Sequence, residues 1–196
     1  MKPLNFKIIN TKYCYAPKNK IMFKCSGDSD SFCYSSVSIN NFHKVDDTLY
    51  RGAMPLDNEI KQLKSIGVSE IINFRYGDDF FGPIAKEAEL AKENGLIFHH
   101  LPILPDQKPS KEIVDKFFEI TDKARENGRK VFIHCRHGAD RTGLFVSLYK
   151  LRNQDVSLFS VLSELKKFGH NSRKFPQVIQ FIKEYSENLD KSKPLN

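Results

Sequence analysis

The chain predicts an α/β fold, a central and mostly parallel sheet flanked by helices. Two observations carry that expectation. From residue 48 onward, short apolar runs rich in β-branched and aromatic residues alternate with stretches whose apolar residues recur at helical spacing. Each helical stretch is long enough to cross back over a sheet, so that successive strands can lie parallel.

The elements follow in order. Residues 1–40 have no clear periodicity and are rich in Lys, Asn, Ser and Tyr. They read as an extension packing on the domain, with room for one short strand. Thr48-Leu49-Tyr50-Arg51 reads as a strand entering the turn Gly52-Ala53-Met54-Pro55. A helix follows with Leu56, Ile60, Leu63 and Ile66 as its apolar stripe, closed by Gly67. Ser69 to Phe74 is the next strand. After the polar loop 75–83, Ile84, Ala88 and Ala91 share one face of a helix ending at Asn94-Gly95. Leu96 to Leu101 is a strand, and its adjacent His99 and His100 must face opposite sides. Both read as structural histidines. A loop with Pro102, Pro105 and Pro109 leads to Ser110, the N-cap of a helix carrying Ile113, Val114, Phe117, Phe118 and Ala124 inward. Lys130 to His134 is a strand, and three helices complete the chain, over 142–153, 156–168 and from about 176 to 187. The domain is expected over 41–188, with a tail at 189–196.

Composition narrows the classes. Of 196 residues, 40% are hydrophobic and 28% charged, ordinary for one globular domain and far from a disordered chain. Thirty-one basic against 24 acidic residues give a net charge of +7, which favours an anionic partner. The basic residues are scattered rather than blocked, which argues against nucleic acid. The N-terminus lacks the apolar run of a signal peptide, and no stretch approaches the ~20 residues needed to span a bilayer. A cytoplasmic monomer is expected, with peripheral membrane contact, or export by a route that reads no classical signal, left open. Cys14, Cys25 and Cys33 lie outside any motif; reduced thiols are the default, with a Cys25–Cys33 bridge open to an oxidising compartment.

The chemistry concentrates in Val131-Phe-Ile-His-Cys-Arg-His-Gly-Ala-Asp-Arg-Thr-Gly143. An apolar strand runs into Cys135, five residues intervene, and Arg141 opens a helix. Successive backbone N–H groups of such a turn, with the positive end of the helix, form a phosphate cradle that also favours a thiolate at Cys135. Arg141 suits bidentate contact with a phosphate. Gly138 supplies a sharp backbone conformation or a close approach. Thr142 can donate its hydroxyl to the sulfur.

His134-Cys135-x-x-Gly138-x-x-Arg141-Thr142-Gly143 resembles the signature loop of the cysteine-dependent tyrosine and dual-specificity phosphatases. Leu49 to Pro55 and Ile71 to Arg75 are similar to the opening elements of the compact bacterial, fungal and plant dual-specificity-like members. The resemblance covers roughly residues 41–188. It implies a dual-specificity phosphatase-like fold, no cofactor and no metal, and a two-step reaction through a phosphocysteine at Cys135. It also implies a supporting role for His134, which holds the loop. The proton donor of the classical enzymes sits on a Trp-Pro-Asp loop, and this chain has no Trp. In the compact relatives an Asp about thirty residues before the Cys serves, and Asp106 after Pro105 fits. Asp78, Asp79 and Asp140 compete for the role.

Asp140 inside an anion cradle is repulsive unless it turns away or pairs with a cation; a structural role is favoured. Arg136, His137, Gly138, Ala139 and Asp140 are the expected substrate-binding positions. In relatives acting on inositol phosphates or phosphoinositides, basic residues within the loop hold further phosphates, which Arg136 and His137 could do here. Lys108, Lys111 and Arg75 could extend a basic rim, although each alone reads as a solvated charge; Arg51 and Arg75 read as braces for loops. The primary substrate expected is phosphotyrosine or another phosphorylated protein, with inositol phosphates or phosphoinositides the alternative. A zinc site at His134, Cys135 and His137 leaves Arg-Thr-Gly unexplained, and sulfur transfer fits Gly138 and Thr142 less well. A non-catalytic phosphate-binding module is the remaining rival, weakened by the intact Cys, Arg and Thr.

Overall fold

The computed structural model describes residues 20–24, 32–77 and 82–192. Asp78 and Asp79, Cys14 and Cys25, and the side chain of Cys33 lie outside the described residues. In chain order the elements are β1 (Lys20–Lys24), β2 (Phe32–Ser36), β3 (His43–Lys44), β4 (Leu49–Gly52), α1 (Asp57–Ser65), β5 (Val68–Asn73), α2 (Pro83–Glu93), β6 (Ile97–His100), α3 (Lys111–Glu126), β7 (Lys130–His134), α4 (Asp140–Asn153), α5 (Leu158–Lys167) and α6 (Pro176–Ser192). The five-stranded sheet has the order β3-β4-β7-β5-β6. All its pairs are parallel except the short edge strand β3, which runs against β4. β1 and β2 form a separate antiparallel pair, where one short strand was expected.

The alternation read from the sequence sorts the strands' side chains between two layers. Leu49, Ile72, Val131 and Ile133 face α3 to α6, while Tyr50, Ile71 and Phe132 face α1 and α2. Val37 and Ile39 join this second layer. The first layer is aromatic: Phe74 stacks on Phe145 at 4.3 Å, and Phe117 meets Phe145 edge-on at 4.8 Å. Local signals set the helix ends. Pro83 occupies the first turn of α2, Ser110 and Ser157 cap α3 and α5, and α1 closes where Gly67 adopts positive φ. β7 is the middle strand, so whatever follows its carboxyl end emerges at the centre of the sheet edge.

Candidate active site

Cys135 is the first residue past β7, residues 136–139 turn, and α4 begins at Asp140. Three successive carbonyls of this turn are held by the segment around β4. Met54 N donates to Arg136 O at 3.3 Å, Asn41 Nδ2 to His137 O at 2.8 Å, and Arg51 Nη2 to Gly138 O at 2.6 Å. In a planar trans peptide the next N–H points opposite to the carbonyl, so the amides of residues 137–139 face away from β4 and into the cleft. The N-terminal end of α4 adds its own unpaired amides. Gly138 meets both demands expected of it. Its φ is 71°, and a Cβ there would collide with the Gly52 carbonyl and Ala53 N.

The cleft over this turn has a volume of about 690 Å³ and is lined by Pro105, Asp106, residues 135–137 and 139–141, and Gly169, Asn171, Lys174 and Phe175. Cys135 forms its floor and is 3% exposed. Arg141 is braced from behind, its Nη1 donating to Phe74 O at 3.2 Å and Ile103 O at 3.1 Å. Arg136 and His137 are exposed at the rim, and Ala139 is buried at the N-cap of α4. His134 is fully buried: its Nδ1 donates to the Cys135 carbonyl at 3.1 Å, and its Nε2 stands 2.7 Å from Glu87 Oε1, close enough to pair but off hydrogen-bond alignment. Asn73 Nδ2 holds the other oxygen of Glu87 at 2.8 Å. Thr142 is buried in the first turn of α4, and its hydroxyl bonds no group among the described residues, the Cys135 sulfur included.

Asp140 turns away from the cradle centre. Its Oδ1 accepts from His170 Nδ1 at 2.7 Å and from Asn171 N at 3.1 Å. Burial pushes its carboxyl up, but these bonds and the charges of His170 and Arg141 outweigh that and hold it below the usual carboxylate range. The α5–α6 connection is therefore fastened to the cradle. The first turn of α6, which follows it, is fastened to the Asp106 turn, where Gln177 Nε2 donates to Pro105 O at 2.9 Å. Asp106 itself is exposed on the cleft wall.

The expected rim lysines are committed elsewhere: Lys108 pairs with Glu184 at 2.7 Å and Lys111 with Asp115 at 2.5 Å. His99 Nε2 bonds Glu70 and His100 Nε2 bonds the Arg75 carbonyl, both structural contacts. The α5–α6 connection, with Asn171, Lys174 and Phe175, was not anticipated as a wall of the site. Its polar run Gly169-His170-Asn171 between two amphipathic helices was the available signal. Glu87 gave none, since a lone Glu on a helix reads as solvated.

A parallel sheet whose middle strand ends in this Cys-to-Arg turn and passes directly into a helix defines the cysteine-dependent tyrosine and dual-specificity phosphatase superfamily. A model of the family described as polymorphic toxin system, DSP-PTPase phosphatase matches residues 46–155, more than half of the sequence, and the chain belongs to that family. It is 27% identical over 129 residues to the dual specificity protein phosphatase TpbA of Pseudomonas aeruginosa strain UCBPP-PA14, covering 66% of this chain and 55% of TpbA. The chain thus spans about half the length of the curated relatives it first matches. In fold it is similar to Tk-PTP in the active form (TM-score 0.64, 20% identity, 75% of this chain and 97% of that one). The core catalytic domain of the PP-IP phosphatase SIW14 from S. cerevisiae, in complex with citrate, is equally similar (TM-score 0.64, 19% identity, 80% and 92%). TpbA has also been solved in complex with phosphotyrosine, and that structure shares the fold (TM-score 0.62, 19% identity, 81% and 94%).

Proposed function

We propose that this protein hydrolyses phosphate monoesters through a phosphocysteine at Cys135, with phosphotyrosine in proteins as the primary substrate, and that residues 41–188 form the catalytic unit. The observation that carries the reading is the buried Cys135 beneath inward-facing amides, with Arg141 braced at the same cleft. In the first step the Cys135 thiolate attacks phosphorus while the bond to the ester oxygen breaks. Asp106, on the opposite wall, gives its proton to that leaving oxygen. In the second step water attacks the phosphocysteine, Asp106 takes the proton, and the sulfur leaves as thiolate, its charge supported by the Thr142 hydroxyl, which has no other partner among the described residues. The cradle amides and Arg141 bear the phosphoryl charge throughout. A reducing cytoplasm, which keeps Cys135 as a thiol or thiolate, suits this chemistry. Among the described residues no helix is long and apolar enough to cross a membrane.

The test is hydrolysis of p-nitrophenyl phosphate by the protein and by Cys135→Ser. Loss of activity by at least a thousandfold is expected; equal rates would leave only a phosphate-binding module.

One observation favours a second reading, inositol phosphates or phosphoinositides. The cleft is wide for a single phosphate, and Arg136, His137 and Lys174 border it without an ion pair among the described residues. The fold shared with the PP-IP phosphatase SIW14 supports the same class. Changing Arg136 and His137 together to Ala should lower kcat/KM for inositol polyphosphates about tenfold or more while sparing p-nitrophenyl phosphate. Parallel losses on both would leave phosphotyrosine as the better reading.

A further inference from the structure

Arg51 is a core residue by position and a cation by nature. It sits on β4 with 1% of its surface exposed, facing Gly143, Val146, Val161 and Leu165 of the α4–α5 layer. Its guanidinium carbon lies 3.9 Å over the Phe168 ring, Nη2 holds the Gly138 carbonyl, and Nε is buried without a hydrogen-bond partner. Burial brings its pKa down to about 10, against the pull of Glu164 and Cys135, so it remains charged at neutral pH.

A buried charge is costly unless an opposite charge answers it. Among the described residues no carboxylate lies within ion-pair distance of Arg51. Glu164 lines the same small cavity; its Oε2 is engaged by Lys150 at 2.5 Å while its Oε1 is buried without a hydrogen-bond partner, so it acts on Arg51 through space and not as an ion pair. The remaining titratable neighbour, His43 of β3, is kept below its ordinary range by burial and by the cations Arg51, Lys150 and Lys167, against Glu164, and supplies no negative charge. The second group of negative charge is Cys135, whose turn Arg51 grips directly through the Gly138 carbonyl at 2.6 Å.

We propose that Arg51 is the fixed positive charge beneath the phosphate cradle, a positioning residue that holds the Gly138 carbonyl outward and whose charge favours the Cys135 thiolate and then bound phosphate. The inference rests on the phosphatase reading of the site. It explains why an arginine, rather than an apolar residue, occupies a core position of β4: the cation is tolerated because the site it underlies is anionic in use.

The experiment is the pH dependence of Cys135 alkylation by iodoacetamide, followed on the Cys135 peptide by mass spectrometry because the chain has three other cysteines, with and without inorganic phosphate as protectant. Arg51→Gln keeps a donor for the Gly138 carbonyl without the charge, and Arg51→Lys keeps the charge without the fork. Arg51→Gln should raise the alkylation midpoint by about one pH unit and weaken phosphate protection about tenfold; Arg51→Lys should hold both within about twofold. A folded Arg51→Gln protein with the wild-type midpoint and protection, or two variants that behave alike, overturns the proposal. If neither variant folds, nitrogen-edited NMR of the wild-type arginine side chains decides. The Arg51 resonance must move with the Cys135 midpoint and on adding phosphate, and an unmoved resonance overturns the inference. A wild-type midpoint in the ordinary thiol range defeats the phosphatase reading and this inference together, whereas a low midpoint insensitive to Arg51 defeats this inference alone.

Discussion

At Gly138 a methyl group has no space to occupy, because the cradle lies directly on the Gly52 carbonyl and the Ala53 amide while its own backbone is left-handed. Gly138→Ala must therefore both strain φ and push the turn off β4, loosening the carbonyl that Arg51 holds. The expected cost is about 1–3 kcal/mol in denaturant unfolding, together with a loss of inhibition by inorganic phosphate of about tenfold or more. An Ala variant of wild-type stability would mean that the cradle does not need its packing against β4. Residues such as Gly138, Cys135 and Arg141 were legible because their chemistry is contiguous in the chain. Arg51 was legible only as a brace: its partner carbonyl lies 87 residues away, and nothing in Leu-Tyr-Arg-Gly signals a buried charge.

Among the elements, the α5–α6 connection departs most from the sequence reading. The sequence assigns it no role, yet it forms a wall of the cleft, fastened to α4 through Asp140, while Gln177 in the first turn of α6 ties the adjoining helix to the Asp106 turn. The Asp140 contacts carry a pH signature. A carboxyl whose folded pKa lies below its unfolded value of ~3.9 contributes stability that is present above that value and is lost as pH falls through the folded pKa. The stability difference between wild type and Asp140→Asn should therefore be about 1–3 kcal/mol at pH 7 and should vanish as the medium is acidified below the usual carboxylate range. A pH-independent difference would assign the contact to shape rather than charge. The helices themselves were readable because capping and periodicity are local. The wall was not, because Asp140 and His170 meet across 30 residues of intervening helix and turn.

For the whole molecule, the aromatic layer between the sheet and α3–α4 connects stability to the site. Phe145 is fully buried, stacked on Phe74 and edge-on to Phe117, one turn beyond the start of the helix that closes the cradle. Phe145→Ala should cost about 3–5 kcal/mol, read as a lowered urea midpoint, and should reduce phosphatase activity in the folded fraction because α4 loses its seat. A stability loss under about 1 kcal/mol would show that the layer repacks around the gap.

By itself the sequence determined the alternation of strands and helices, the Cys135-to-Arg141 cradle and the family resemblance, because periodicity, caps and a contiguous motif are written in neighbouring residues. It could not determine that β7 lies at the centre of the sheet, that Arg51 is a buried cation under the cradle, that Glu87 stands behind His134, or that Asp140 fastens a second wall to the site. Those are decided by which segments meet. The meeting of segments distant in the chain is set by the burial of two apolar layers against one sheet, an energy that belongs to the packed whole and to no stretch of the chain.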